Sequence, residues 1–144
     1  MARTVVVDFD IDGGRRLIEA LDAAGFIVES ALWFLNLESE EWRLVISSPV
    51  VDKLGPLKAY QTIRPVLTGL PGVGFRLDNI AAVGTKNPLV KGLRSTWHTE
   101  PGLRPLRISR TTTTTGVPIE DAYIYRLGPG PKPRKAPRAQ LPPG

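Results

Sequence analysis

Apolar positions along the chain switch between helical and strand periods, and the switches divide it into elements. Leu17, Ile18, Leu21 and Ala24 recur at three and four residues, which predicts a helix over 12–24 with Gly25 placed to end it. Residues 27–37 are apolar on both faces, Leu32 and Phe34 on one, Ala31, Trp33 and Leu35 on the other. A strand covered on both sides loses its alternation, so this one is expected at the centre of a sheet. An acidic turn over 38–41 leads to a second strand, where Trp42, Leu44 and Ile46 alternate with Arg43, Val45 and Ser47. Asp52 and Lys53 fall in a turn before the next element. Residues 55–70 set Leu57, Tyr60, Ile63 and Leu67 on one helical stripe, and Pro65 predicts a kink or stop near Ile63. A short strand is expected over 80–83, after the loop LPGVGF. Asn87 followed by Pro88 is a strong helix start, and Leu89, Val90, Leu93 and Trp97 form the buried face of that helix.

Beyond the break at Pro101 and Gly102, PLRISRTTTTT and PIEDAYIYRL read as a second hairpin turning near 116–118. Threonine is a good strand residue, so the run 111–115 is expected to be a strand end or exposed edge. Two hairpins separated by helices imply an α+β fold. The expectation is a mainly antiparallel sheet of four to five strands, packed with three helices on one face.

Charge changes this picture at the C-terminus. The chain has 144 residues and a formal net charge of +5. Residues 128–144, GPGPKPRKAPRAQLPPG, hold Lys132, Arg134, Lys135 and Arg138 and no acid, which is +4. Residues 1–127 hold the other 15 of the 19 basic side chains and all 14 acids, a balance of +1. Two regions follow: a single α+β domain over 1–127, and a basic Pro/Gly-rich tail over 128–144, expected to be disordered because its composition cannot build a core. A near-neutral body argues against a large basic groove of the kind a dedicated nucleic-acid-binding domain presents. With no cysteine, thiolate metal sites and cysteine nucleophiles are excluded. The opening MARTVVVDFDID lacks the layout of a secretory signal, and no apolar run approaches a membrane span, so a cytoplasmic chain without a membrane contact is expected.

The nearest approach to a named chemistry is DFDIDGGRRLIE over 8–19, which fits the calcium-loop pattern D-x-D-x-D-G-x5-E. Asp8, Asp10 and Asp12 would supply carboxylates, Gly13 the sharp turn and Glu19 a bidentate ligand. Two features of its context oppose that reading. Residues 4–7 favour a strand where a helix should enter, and Arg15 stands where an apolar residue would pair the loop with a second one. Carboxylates ahead of a helix are also what its unpaired N–H groups and dipole attract. The stretch is therefore read first as a helix start, and Asp8, Asp10, Asp12 and Glu19 as a metal site only in second place. No cofactor is expected.

Thr4, Val5, Val6, Val7, Asp8, Phe9 and Asp10 also resemble the apolar strand and DxD that open the haloacid dehalogenase phosphatases. That resemblance implies a parallel α/β sheet and Asp8 as nucleophile. It covers seven residues, and it departs from the family at Asp12 and Gly13, where glycine and threonine are preferred. His98 is the only histidine, so a polyhistidine zinc site is excluded. Ser95 and His98 lack an obvious carboxylate orienter for nucleophilic catalysis. Glu120 and Asp121 are adjacent in a strand and point to opposite faces. LTGLPGVG lacks the lysine and hydroxyl of a phosphate loop.

Arg104, Arg107, Arg110 and Arg126 gather on the last hairpin beside Tyr123 and Tyr125. Arg107 and Arg110 join Lys132, Arg134, Lys135 and Arg138 as candidate contacts to an anionic partner. The function expected from these features is a non-enzymatic interaction or regulatory module. It would associate with a protein partner or a second copy through an apolar sheet face, while the tail makes weak nucleic-acid contacts. A small divalent-metal-dependent hydrolase using Asp8, Asp10 and Asp12, or a structural subunit of a larger assembly, are the alternatives.

Overall fold

The helical period near the N-terminus becomes α1 (Ile11–Ala23), and its end is set by glycine. Gly25 takes φ +85, and the N–H groups of Gly25 and Phe26 turn back onto the carbonyls of Asp22 and Leu21. That closure satisfies carbonyls the helix leaves open. The computed structural model from which these elements are taken describes residues 10–97 and 105–128.

The first hairpin pairs β1 (Ser30–Asn36) with β2 (Glu41–Ser47) in antiparallel register from Ser30 opposite Ser47 to Asn36 opposite Glu41. Asn36 holds the turn, its Oδ1 accepting from the N–H groups of Glu38 and Ser39. After β2 come α2 (Pro49–Leu54), α3 (Pro56–Thr68), a 3-10 turn (Leu77–Asn79) and β3 (Ile80–Val83). Then follow α4 (Pro88–Thr96) and a second hairpin of β4 (Leu106–Thr112) and β5 (Pro118–Arg126). The five strands lie in the order β3-β2-β1-β5-β4. All neighbours are antiparallel except β2 and β3, so the sheet is mixed, and β1 takes the central place its two apolar faces require.

Each face carries its own core. On the first, Leu17, Ile18 and Leu21 of α1 and Ala59 and Ile63 of α3 bury against Ala31, Trp33, Leu44 and Ile46. On the second, Val90 and Leu93 of α4 bury against Leu32, Val45, Ile108, Ala122 and Ile124. The expectation of helices on one face is thereby corrected. A helical stripe reveals that a helix has a buried side but not which face of a sheet receives it.

Among the described residues there are four α-helices where three helices were expected. Residues 49–54, read as a turn, form α2: Ser48 caps it by accepting from the Val50 N–H, and Pro49 opens its first turn. No α2 residue is buried, so it leaves no apolar stripe to read. Gly55 at φ +89 separates it from α3. Pro65 does not stop α3, which continues to Thr68. Pro65 and Gln61, whose carbonyl the proline leaves without its helical donor, are both exposed, so water can satisfy that carbonyl.

The threonine run divides between β4 and the turn after it. Thr113 Oγ1 accepts from the Val117 N–H, and Thr96 of α4 accepts from the Thr114 N–H at 2.8 Å. Gly92 lies where a Cβ would come within 2.6 Å of Thr115 Oγ1, so glycine lets α4 rest on this turn. Among the described residues no helix is long and apolar enough to cross a membrane.

Candidate functional site

The acidic stretch at the start of α1 is built as a helix cap. Asp10 is the N-cap: Oδ1 accepts from the Gly13 N–H and Oδ2 from the Gly74 N–H, both at 2.8 Å. One carboxylate thus ends the helix and ties down the LPGVGF loop. Asp12 and Glu19 both turn to Arg15, Asp12 in direct contact and Glu19 at 3.5 Å, and all three are exposed. Among the described residues no three acidic or histidine side chains converge as a metal would require. Asp8 lies outside the described residues, as do residues 4–7 of the phosphatase resemblance.

Both glycines of the stretch answer to packing. A Cβ on Gly13 would strike the Asp10 carboxylate that caps the helix. A Cβ on Gly14 would strike the Tyr125 hydroxyl and come within 3.0 Å of Trp33 Nε1. The Trp33 indole N–H donates to Tyr125 Oη, which donates to the Ile11 carbonyl, so the helix start sits on a buried polar relay. Burial pushes the Tyr125 hydroxyl well above its ordinary range, with the Trp33 hydrogen bond working the other way. Tyr125 is therefore a neutral structural donor at any ordinary pH.

The hairpin arginines are distributed among acids. Arg107 grips Asp121 through Nε at 2.7 Å and Nη2 at 2.8 Å, and its guanidinium stands 5.9 Å from the centroid of the Trp42 ring. Ser109 adds a hydroxyl to the same carboxylate. Burial pushes the Asp121 carboxyl up, but Arg107, Ser109 and the Ala122 N–H together outweigh it and hold the group below its usual value. Arg110 is highly exposed, 3.7 Å from Glu120, in the left-handed backbone region at φ +51. Arg126 reaches instead to α1, pairing twice with Asp22 and donating to the Val28 carbonyl. Tyr123 and Tyr125 meet edge to face on the first sheet face, 5.2 Å apart. Arg104, His98 and the tail cations Lys132, Arg134, Lys135 and Arg138 lie outside the described residues.

Three sets of polar contacts were not read from sequence. Glu29, buried at the approach to β1, accepts from Ser47 Oγ at 2.7 Å, and both its oxygens lie 3.1 Å from Nη1 of Arg94 on α4. The only signal was a lone acid in the apolar run FIVESALW. Asp52 accepts from the Thr85 N–H at 3.0 Å and from its hydroxyl, joining α2 to the end of β3. Tyr60 places its hydroxyl on the edge strand, accepting from Ala82 N–H at 3.0 Å and donating to the Ile80 carbonyl at 3.2 Å.

These clusters bind elements together; none pairs a nucleophile with a base and an orienting group. No protein-family model matches the chain, and no curated protein or solved structure compared with it matches either.

Proposed function

We propose that the chain is a non-enzymatic interaction or regulatory module. Its body meets a protein partner or a second copy at the margin of the second sheet face, and its basic tail contacts an anionic partner. One observation carries the first part. The second face spans five strands, about 19 Å between its outer strands, yet its helix α4 has nine residues and is only about 13 Å long. Phe34, Leu106, Val117 and Trp97 stand half-buried around that short helix. An apolar margin of this kind is where a second surface gains most from excluding water.

The polar groups favour the same reading. Asp10, Glu29, Asp52 and Asp121 each hold a partner from a different element, so each is committed to the fold. For the tail, four cations without an acid favour salt-sensitive contacts with a polyanion.

The test uses the full-length chain. Light scattering at high salt should show association that Phe34→Arg abolishes while circular dichroism stays unchanged. Binding of a single-stranded DNA oligonucleotide at low salt should fall when Lys132, Arg134, Lys135 and Arg138 are all replaced by Gln. Association untouched by Phe34→Arg, together with oligonucleotide binding untouched by the tail replacements, overturns the reading.

A further inference from the structure

Away from the sheet face and the tail, two corners of the surface join large exposed apolar side chains to charges of opposite sign. At the first, Leu54 and Leu57 flank the Gly55–Pro56 joint between α2 and α3 and are 62% and 69% exposed. Lys53 and Lys58 adjoin them in sequence, both exposed and without an ion-pair partner among the described residues. Asp52, the one acid of this segment, has its carboxylate committed to Thr85. At the second corner, the turn between β1 and β2, Leu37 is 60% exposed. Glu38 and Glu40 beside it are exposed and also have no ion-pair partner among the described residues. Glu41, the first residue of β2, has a neighbour, 3.5 Å away in Arg43.

β2 holds the two corners apart. The acidic turn precedes its first residue, and α2 begins two residues after its last. Seven residues of strand span about 23 Å, so the corners lie at opposite ends of the sheet and cannot meet within one chain. A second copy can bring them together. We propose that the turn 37–40 of one copy docks on the corner 53–58 of the next, with Leu37 against Leu54 and Leu57 and with Glu38 and Glu40 facing Lys53 and Lys58.

Both corners are prepared for this. The turn is fixed by Asn36, which accepts from the N–H groups of Glu38 and Ser39, and Glu40 holds φ +57. The joint is fixed by the Ser48 cap and by the Gly55 N–H bonding to the Val51 carbonyl at 2.9 Å. Little conformational freedom is then lost on docking. The contact is head to tail, because a corner meeting its own kind would oppose like charges. It uses a different surface from the sheet face, so it stands or falls separately from the proposed function.

Sedimentation velocity of the full-length chain tests it. The chain carrying Phe34→Arg, which removes any contact through the sheet face, should associate with rising concentration at low salt and dissociate at high salt. In that background Lys53→Glu with Lys58→Glu should sediment as a monomer, and so should Glu38→Lys with Glu40→Lys. Mixing these two variants should restore association, since one still offers an intact turn and the other an intact corner. Leu54→Ser with Leu57→Ser should weaken association by more than roughly tenfold with all charges kept. A monomer at every concentration overturns the proposal. So does association that survives the Glu38 and Glu40 exchange, or binding of the corner to vesicles of phosphatidylserine and phosphatidylcholine without self-association.

Discussion

The Trp33 indole N–H donates to the Tyr125 hydroxyl at 3.0 Å, and that hydroxyl donates in turn to the Ile11 carbonyl at 2.5 Å. β1, β5 and the first turn of α1 are thereby joined through one buried oxygen, directly above Gly14. Phe75 closes the cluster from the side, its ring centroid 5.1 Å from that of Trp33 in an edge-to-face contact.

Tyr125→Phe removes the shared oxygen and leaves one donor and one acceptor buried without it. The expected loss is about 2 kcal/mol, read as a lower urea midpoint at an unchanged slope. Gly14→Ala should cost about 2–3 kcal/mol by overpacking against the same hydroxyl. The two changes should couple: in the Tyr125→Phe background, Gly14→Ala should cost less, because part of the obstruction is gone. Strict additivity would mean that the helix start does not rest on Tyr125.

Asp10 tests the cap. Asp10→Ala removes acceptors from the Gly13 and Gly74 N–H groups, and about 1–2 kcal/mol of stability should go with them. Asp10→Asn keeps one acceptor oxygen and should recover part of the loss. Calcium or magnesium should leave the thermal midpoint of the unaltered chain where it is. A rise that Asp10→Asn abolishes would instead return the acidic stretch to a metal site.

How far these features could be read in advance depended on how local they are. A helix start within the acidic stretch, the Asn87 cap, the short strand at Ile80–Val83 and the central place of β1 all follow from neighbouring residues and their periods. α2 was invisible because none of its residues is fully buried, and α4 could not be assigned to its face of the sheet. The site shows the same division. That acids gather at this helix start was legible, but which of them caps it was not, and the second partner of Asp10, Gly74, is 64 residues away. Arg94 is 65 residues from Glu29, and nothing local to either position names the other. Periodicity reports burial along one element, whereas these pairs are made when elements meet.

Arg94 is the next case to test. Arg94→Ala leaves the buried Glu29 carboxylate with only hydroxyl donors from Ser30 and Ser47. An uncompensated buried charge of this kind should cost roughly 3 kcal/mol. Glu29→Gln should cost less, because the Arg94 side chain is the more exposed partner, at 16% against 7%, and can turn its charge toward water. Urea unfolding of the two variants reads the order directly, and a larger loss for Glu29→Gln would place the weight on the arginine.

Proline 65 carries a prediction of the opposite sign. It sits inside α3 without a backbone N–H, at an exposed position. Pro65→Ala restores that donor for the Gln61 carbonyl. The gain is limited because the unfolded chain also becomes freer. A net stabilisation of about 1 kcal/mol, seen as a higher thermal midpoint, is expected. A fall would mean that the proline ring contributes packing of its own.

The Arg107–Asp121 pair sets the pH dependence of the last hairpin. The Asp121 carboxyl is held below its unfolded value of 3.8, since the guanidinium, the Ser109 hydroxyl and the Ala122 N–H outweigh the effect of burial. A carboxyl depressed in the folded state binds fewer protons there than when unfolded. Its contribution is therefore fully present above the unfolded value and is lost as pH falls through the folded one. The window lies below about pH 4. In that window the unaltered chain should lose more stability than Asp121→Asn, whose group at this position does not titrate. Above it, Asp121→Asn should be the less stable of the two by about 1 kcal/mol, the size of a well-formed but partly exposed ion pair. Urea midpoints of both proteins between pH 2.5 and pH 7 measure the difference. A gap that stays constant across that range would remove Arg107 and Asp121 as its source.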